Sequence, residues 1–153
     1  MLAIDSQRVL DIAATLLSAE AAGLADWATT TAADYARVRQ QFGRIIGQFQ
    51  GVKHKAARML GLTEQARVTA WDAARAMGPD TDGVEASLAA AVAGAVAPDA
   101  AFTVTKDCIQ ILGGIGYTWE HDAHLYLRRA KSSELLFGPP ARQRTRLAVL
   151  AGI

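Results

Sequence analysis

The chain has 153 residues, about one domain's worth and enough to bury a core. Sixteen Lys and Arg stand against 15 Asp and Glu, so the net charge is only +1. That balance argues against nucleic-acid or membrane binding driven by bulk charge.

The N-terminal stretch MLAIDSQRVLDIAATL is interrupted by Asp5, Gln7, Arg8 and Asp11. It therefore reads as neither a signal peptide nor a membrane span, and a cytoplasmic, reducing location is the expectation. Alanine is abundant, Pro is limited to four residues, and no stretch alternates apolar and polar side chains as a strand would. The first helix is expected from about Asp5 to Gln40, on the order of 50 Å long. Val9, Ile12, Leu16, Leu24, Trp27, Thr31, Tyr35 and Val38 follow helical spacing and are its expected core face. QFGRIIGQFQG then brings Gly43, Gly47 and Gly51, which predict a turn-rich connection.

A second helix is predicted from about Gly51 to Met77, with Val52, Ala56, Met59, Thr63, Ala66, Ala70, Ala73 and Met77 on one face. GPDTDG at 78–83 terminates it. The third helix runs from about Asp82 to Leu112, with Val84, Leu88, Val92, Phe102, Cys108, Ile109 and Leu112 facing the core. Pro98 lies inside it and is expected to kink or split it. Cys108 is the chain's one cysteine, which rules out a disulfide framework or thiolate cluster, and its apolar setting predicts burial. Gly113 and Gly114 end this helix. A shorter helix over roughly His121–Lys131, the GPP at 138–140 and an amphipathic piece ending near Leu150 complete the chain. The expected fold is all-α: a four-helix up-and-down bundle, its fourth element broken, forming one domain over 1–153. Alanine-rich faces allow close packing, including between subunits.

The stretch CIQILGGIGYTWEHDAHLYLRRAKSSELLFG, residues 108–138, concentrates the unusual residues. Glu120, His121 and His124 offer at most three metal ligands. A di-iron bundle needs two Glu-x-x-His copies; this chain has a single Glu-x-x-x-His, and His54 has no acidic neighbour. No metal is expected. GGIG follows a helix and lacks the spacing and strand of a Gly-x-Gly-x-x-Gly fingerprint, so a Rossmann turn fails. What remains is a helix end whose small residues let a ligand or another chain approach the backbone, with Gln110 offering an amide one turn before. Ser6, Ser18, Ser87, Ser132 and Ser133 lack a nucleophile context. From Arg128 to Arg146 six cationic side chains meet one acid, Glu134; this is either a solvated helical surface or a site for an anion.

Two segments together carry a family resemblance. YARVRQQFGRIIGQFQGVKHKAARM (35–59) and QILGGIGYTWEHDAHLYLRRAK (110–131) resemble the two signature segments of the C-terminal domain of the acyl-CoA dehydrogenase family, and the likeness spans essentially the whole chain. The resemblance implies a helical bundle at the centre of a homo- or hetero-oligomer of acyl-CoA dehydrogenase-type subunits. It implies FAD held across a subunit boundary and acyl-CoA as the substrate of the full assembly. Arg39, Gln41 and Phe42 fall where the family contacts the FAD diphosphate and its surroundings. Gln50 matches the family's glutamine after the short loop. Gln110, Gly113 and Gly114 match the segment that reaches FAD from an adjacent subunit.

The same alignment departs from the family at its base. The family's glutamate removes the α-proton of the thioester while hydride leaves the β-carbon for the flavin. Its usual position falls on Phe137, and the other known position falls on Gln7; neither side chain accepts a proton. Glu134 is a weak alternative. TWEHDAHLYLRRAK and ELLFG resemble actinobacterial members, some of which form heteromeric pairs acting on sterol- or lipid-derived CoA thioesters, one subunit catalytically silent. The family's N-terminal helical and middle β-domains have no counterpart in this sequence, so a fragment or a separately encoded subunit is expected, inactive by itself. A non-catalytic helical oligomerisation module that no longer binds FAD is the alternative.

Overall fold

The computed structural model describes residues 5–136 and 138–153. Five helices carry the fold: α1 (Ser6–Val38), α2 (Gln50–Ala76), α3 (Gly83–Leu112), α4 (Ala123–Leu136) and α5 (Pro140–Ala151). Between α1 and α2 the chain makes a two-residue antiparallel ladder, β1 (Gln40–Gln41) with β2 (Arg44–Ile45), then one turn of 3-10 helix over Ile46–Gln48. A second 3-10 segment, Gly113–Tyr117, follows α3.

Local chemistry sets the boundaries. The Asp5 carboxylate accepts from the Gln7 amide at 2.9 Å and caps α1; Asp82 accepts from the Val84 amide at 3.2 Å and caps α3. At the other end of α3, Gly113 takes φ +66°, a left-handed conformation that side chains resist. Pro140 opens α5 in its first turn, where a missing N–H costs nothing. The broken fourth element of the expected bundle is thus two helices, α4 and α5, and both lie against α3, which also packs on α1 and α2.

Pro98 does not split α3, which runs unbroken from Gly83 to Leu112. Four residues before Pro98 stands Gly94, whose backbone is freer to yield to the ring, and the helix is enclosed by all four others. Gly94 also lets α5 come close: the Gln143 side chain lies 3.3 Å from where a Cβ would sit. By length and composition α3 is apolar enough to cross a membrane, yet 67% of its apolar window is buried inside the bundle.

The face that α1 turns inward corrects the sequence expectation. Ala14, Leu17, Ala21, Ala25, Ala28, Ala32 and Ala36 are buried, whereas Val9, Ile12, Leu16 and Val38 are exposed. Leu24, Trp27, Thr31 and Tyr35 flank the seam, half-buried. Alanine, not the bulky side chains, marks the line of contact, because the axes of α1, α2 and α3 draw together where side chains are short. On α2 the expected face holds for Met59, Thr63, Ala66, Ala70 and Ala73, while Val52, Ala56 and Met77 are half-buried. On α3, Cys108, Ile109 and Leu112 are buried as expected; Leu88, Val92 and Phe102 are half-buried, and Val84 is exposed. Ring stacking joins α1 to α4: Trp27 and Tyr126 lie 3.5 Å apart, planes 6° from parallel. Arg129 of α4 grips Glu20 of α1 with two bonds of 2.7 and 2.8 Å.

Candidate functional site

The turn after α1 and the end of α3 build one open cleft of about 910 Å³. Its first wall begins where α1 stops: Arg39 turns extended (φ −70°, ψ 128°) and its carbonyl accepts from the Ile46 amide at 2.8 Å, closing the small hairpin. Phe42 and Gly43 form the tip with φ +54° and +77°. Phe42 is one of the rare side chains held in the left-handed region, and its ring stands 90% exposed. It meets Phe49 edge to face, 6.1 Å between centroids, while the Arg44 guanidinium lies 4.5 Å over the other ring. Gly47 holds the turn against α1: a Cβ there would lie 2.7 Å from the Ala36 carbonyl oxygen.

The opposite wall is the last turn of α3 and the glycines after it. Gln110 is exposed one turn before the end. At Gly113 and Gly114 no atom lies within 4 Å of where a Cβ would be, so the bare backbone faces open space.

Of the residues singled out in the sequence, Arg39, Gln41, Phe42, Gln110, Gly113 and Gly114 line this cleft together. Gln50 is exposed and outside its lining, although its neighbours Phe49 and Gly51 belong to it. Sequence reading missed Tyr35 and Lys55, which also line it. Both lie inside the first signature segment, and Lys55 sits one helical turn after Gly51, a spacing that could have placed it beside the cleft. The wall is mixed: guanidinium, ammonium and amide donors with aromatic and aliphatic surface. Such a set suits a ligand with an anionic middle and flat, partly apolar ends.

Gln7 and Glu134 do not line the cleft. Phe137 falls outside the described residues. Gln7 sits in the first turn of α1, its amide donating to Asp11 Oδ1 at 3.1 Å. Glu134 Oε2 accepts from Lys131 Nζ at 2.6 Å. The histidines serve α4: His121 Nδ1 accepts from the Ala123 amide at 3.1 Å, and His124 Nδ1 lies 2.8 Å from the His121 carbonyl. Among the described residues no group of three His, Cys, Asp or Glu side chains is arranged to hold a metal ion. The C-terminal cationic run is not one patch, since Arg129, Lys131 and Arg146 are paired with Glu20, Glu134 and Asp11.

Residues 4–150 match the family described as acyl-CoA dehydrogenase, C-terminal domain. The chain is 55% identical over 150 residues to acyl-CoA dehydrogenase FadE34 of Mycobacterium tuberculosis, covering 98% of this chain and 21% of that protein. To acyl-CoA dehydrogenase IpdE2 of Mycolicibacterium smegmatis it is 41% identical over 143 residues, covering 94% and 43%. Among solved structures, butyryl-CoA dehydrogenase from Megasphaera elsdenii superposes with a TM-score of 0.89 at 30% identity, covering 96% of this chain and 38% of that one. PigA with FAD and proline superposes at 0.85 with 27% identity, covering 94% and 37%. The chain therefore spans less than half the length of each of these proteins.

Proposed function

The chain belongs to the acyl-CoA dehydrogenase family, and from that premise we propose that residues 1–153 act as its C-terminal helical domain within an assembly that desaturates acyl-CoA thioesters. The observation that carries the proposal is the cleft, which gathers Arg39, Gln41 and Phe42 with Gln110, Gly113 and Gly114 from far along the chain. Its donor set fits FAD. Arg39 supplies a planar guanidinium for the diphosphate. The uncovered backbone at Gly113–Gly114 lets the phosphates or ribose come within amide reach, and Gln110 offers a side-chain amide to orient them. Phe42 presents an exposed ring to a flat heterocycle. FAD, when bound, supplies the hydride acceptor of the desaturation.

This chain's own part is binding and orientation. Neither Gln7 nor Phe137 takes up a proton, and Glu134 is paired with Lys131 outside the cleft, so this reading assigns removal of the α-proton to a group outside this chain. Oligomer contacts belong to the same proposal: Leu16, Val68 and Trp71 stand outward on α1 and α2 with 66%, 63% and 72% exposure, apolar area suited to another subunit.

Flavin content of the chain assembled with family subunits tests the reading. R39A and Q110A are expected to lower flavin bound per chain, and the chain alone to hold little flavin and turn nothing over. Flavin content unmoved by both substitutions would favour an oligomerisation module that has lost FAD, and robust dehydrogenase activity of the isolated chain would overturn the proposal.

A further inference from the structure

Lys55 of α2 and Asp107 of α3 meet at 2.6 Å between Nζ and Oδ1. The partnership is unequal. The Asp107 side chain is 8% exposed, and its Oδ2 is buried with no hydrogen-bond partner among the described residues. Lys55 is 32% exposed and lines the cleft. A buried carboxylate short of partners depends on the one cation beside it. It therefore holds the ammonium in place, although a free lysine stem is among the most mobile of side chains. An ammonium has three N–H donors, and Asp107 is its one partner among the described residues.

Arg39, on the same cleft, has no carboxylate partner among the described residues, so its charge is open to an anion. Lys55 already has its charge balanced by Asp107. What it retains for a ligand is directed hydrogen-bond donation, suited to a hydroxyl or ring-nitrogen acceptor.

Resting on the reading of the cleft as a FAD site, we propose that Lys55 is a further binding residue of that site. In this assignment Lys55 donates to an uncharged acceptor of the cofactor, and Asp107 is the positioning residue that aims it.

Removing Lys55 alone strands a buried carboxylate and endangers folding, so the deciding variant removes both charges: K55M/D107N. FAD dissociation constants are measured by fluorescence titration of the flavin-stripped assembly, at low and high salt, beside thermal melting of the unloaded protein. K55M/D107N is expected to melt within a few degrees of the parent and to bind FAD about tenfold or more weakly, the loss of a charge-assisted hydrogen bond. That factor should be similar at both salt concentrations, whereas the loss caused by R39A should shrink as salt rises. D107N, which keeps the ammonium but frees it, should weaken FAD less than K55M/D107N. Parent-like affinity in K55M/D107N while R39A loses FAD would overturn the role of Lys55 and leave the cleft reading standing. A loss in K55M/D107N that fades with salt would overturn the uncharged acceptor. An unmodified assembly that binds no FAD would overturn both.

Discussion

Ser87 donates its hydroxyl to Asp11 Oδ2 at 2.7 Å, joining the second turns of α1 and α3 inside the bundle. Asp11 is 2% exposed, and its other oxygen receives the Gln7 amide and the Arg146 guanidinium of α5. One carboxylate thus ties three helices at the end of the molecule where α1 begins. D11A leaves a partly buried guanidinium without its counter-ion, and a loss of about 3 kcal/mol is expected. S87A removes one neutral donor and should cost about 1 kcal/mol. Because the two are each other's partners, urea unfolding of D11A/S87A should show less than the sum of the single effects.

Two glycines predict opposite signs for the same substitution. At Gly47 a methyl group would sit 2.7 Å from the Ala36 carbonyl oxygen, a backbone atom with little room to move. G47A should push the turn off α1, cost about 1–3 kcal/mol and reduce flavin retention by shifting Ile46 in the cleft wall. At Gly61, within α2, no atom lies within 4 Å of the added methyl. G61A should stabilise by about 0.5–1 kcal/mol through helix propensity. Thermal melting of both variants checks the contrast.

Burial pushes the Cys108 thiol up to about 11 from an ordinary 9.0, against a smaller lowering from a backbone contact at Ala32. The folded protein then keeps its proton between about pH 9 and 11 while the unfolded chain gives it up. With more protons bound in the folded state, stability falls as pH rises through that window. Below pH 9 the thiol is neutral in both states and contributes no slope. C108A should remove on the order of 2 kcal/mol of this alkaline loss, read as the difference between parent and variant unfolding curves from pH 8 to 11.

The inner and outer faces of α1 predict a separation of stability from assembly. Ala28 is fully buried in the seam, and A28L should overpack it at a cost of about 1–3 kcal/mol. Leu16 is exposed, and L16A should leave monomer unfolding within about 0.5 kcal/mol of the parent. If Leu16 and Trp71 lie at a subunit contact, L16A/W71A should lower the assembled mass in light scattering without changing the circular dichroism.

The order of the helices and the ends of α2 and α3 were legible because caps and terminators are local: Asp82, Gly78–Pro79 and Gly113–Gly114 act on their own neighbours, whereas α4 runs on to Leu136, past the Lys131 expected. Core direction in α1 was not. Bulk apolar residues and alanines both recur at helical spacing, and the choice between them depends on how closely α2 and α3 approach. The split expected at Pro98 did not occur for a related reason, since α3 is enclosed by the other four helices, a tertiary effect that no local pattern carries. In the cleft, Arg39, Gln41 and Phe42 were named through the family resemblance alone, and Gln110, Gly113 and Gly114 through that resemblance together with the bare helix end they form. Lys55 was missed because its significance comes from Asp107, a residue of another helix that no local pattern connects to it.

The alanine seam of α1 also sets how this domain can change over time. A leucine core has many smaller alternatives, each leaving a cavity that can be refilled. An alanine seam has glycine below it and steric conflict above it, so its sequence is confined from both sides. Variation is pushed outward, onto Val9, Ile12, Leu16 and Val38, where a side chain can be altered without separating the helices. A domain built this way can acquire new neighbours on its surface while its interior stays nearly fixed.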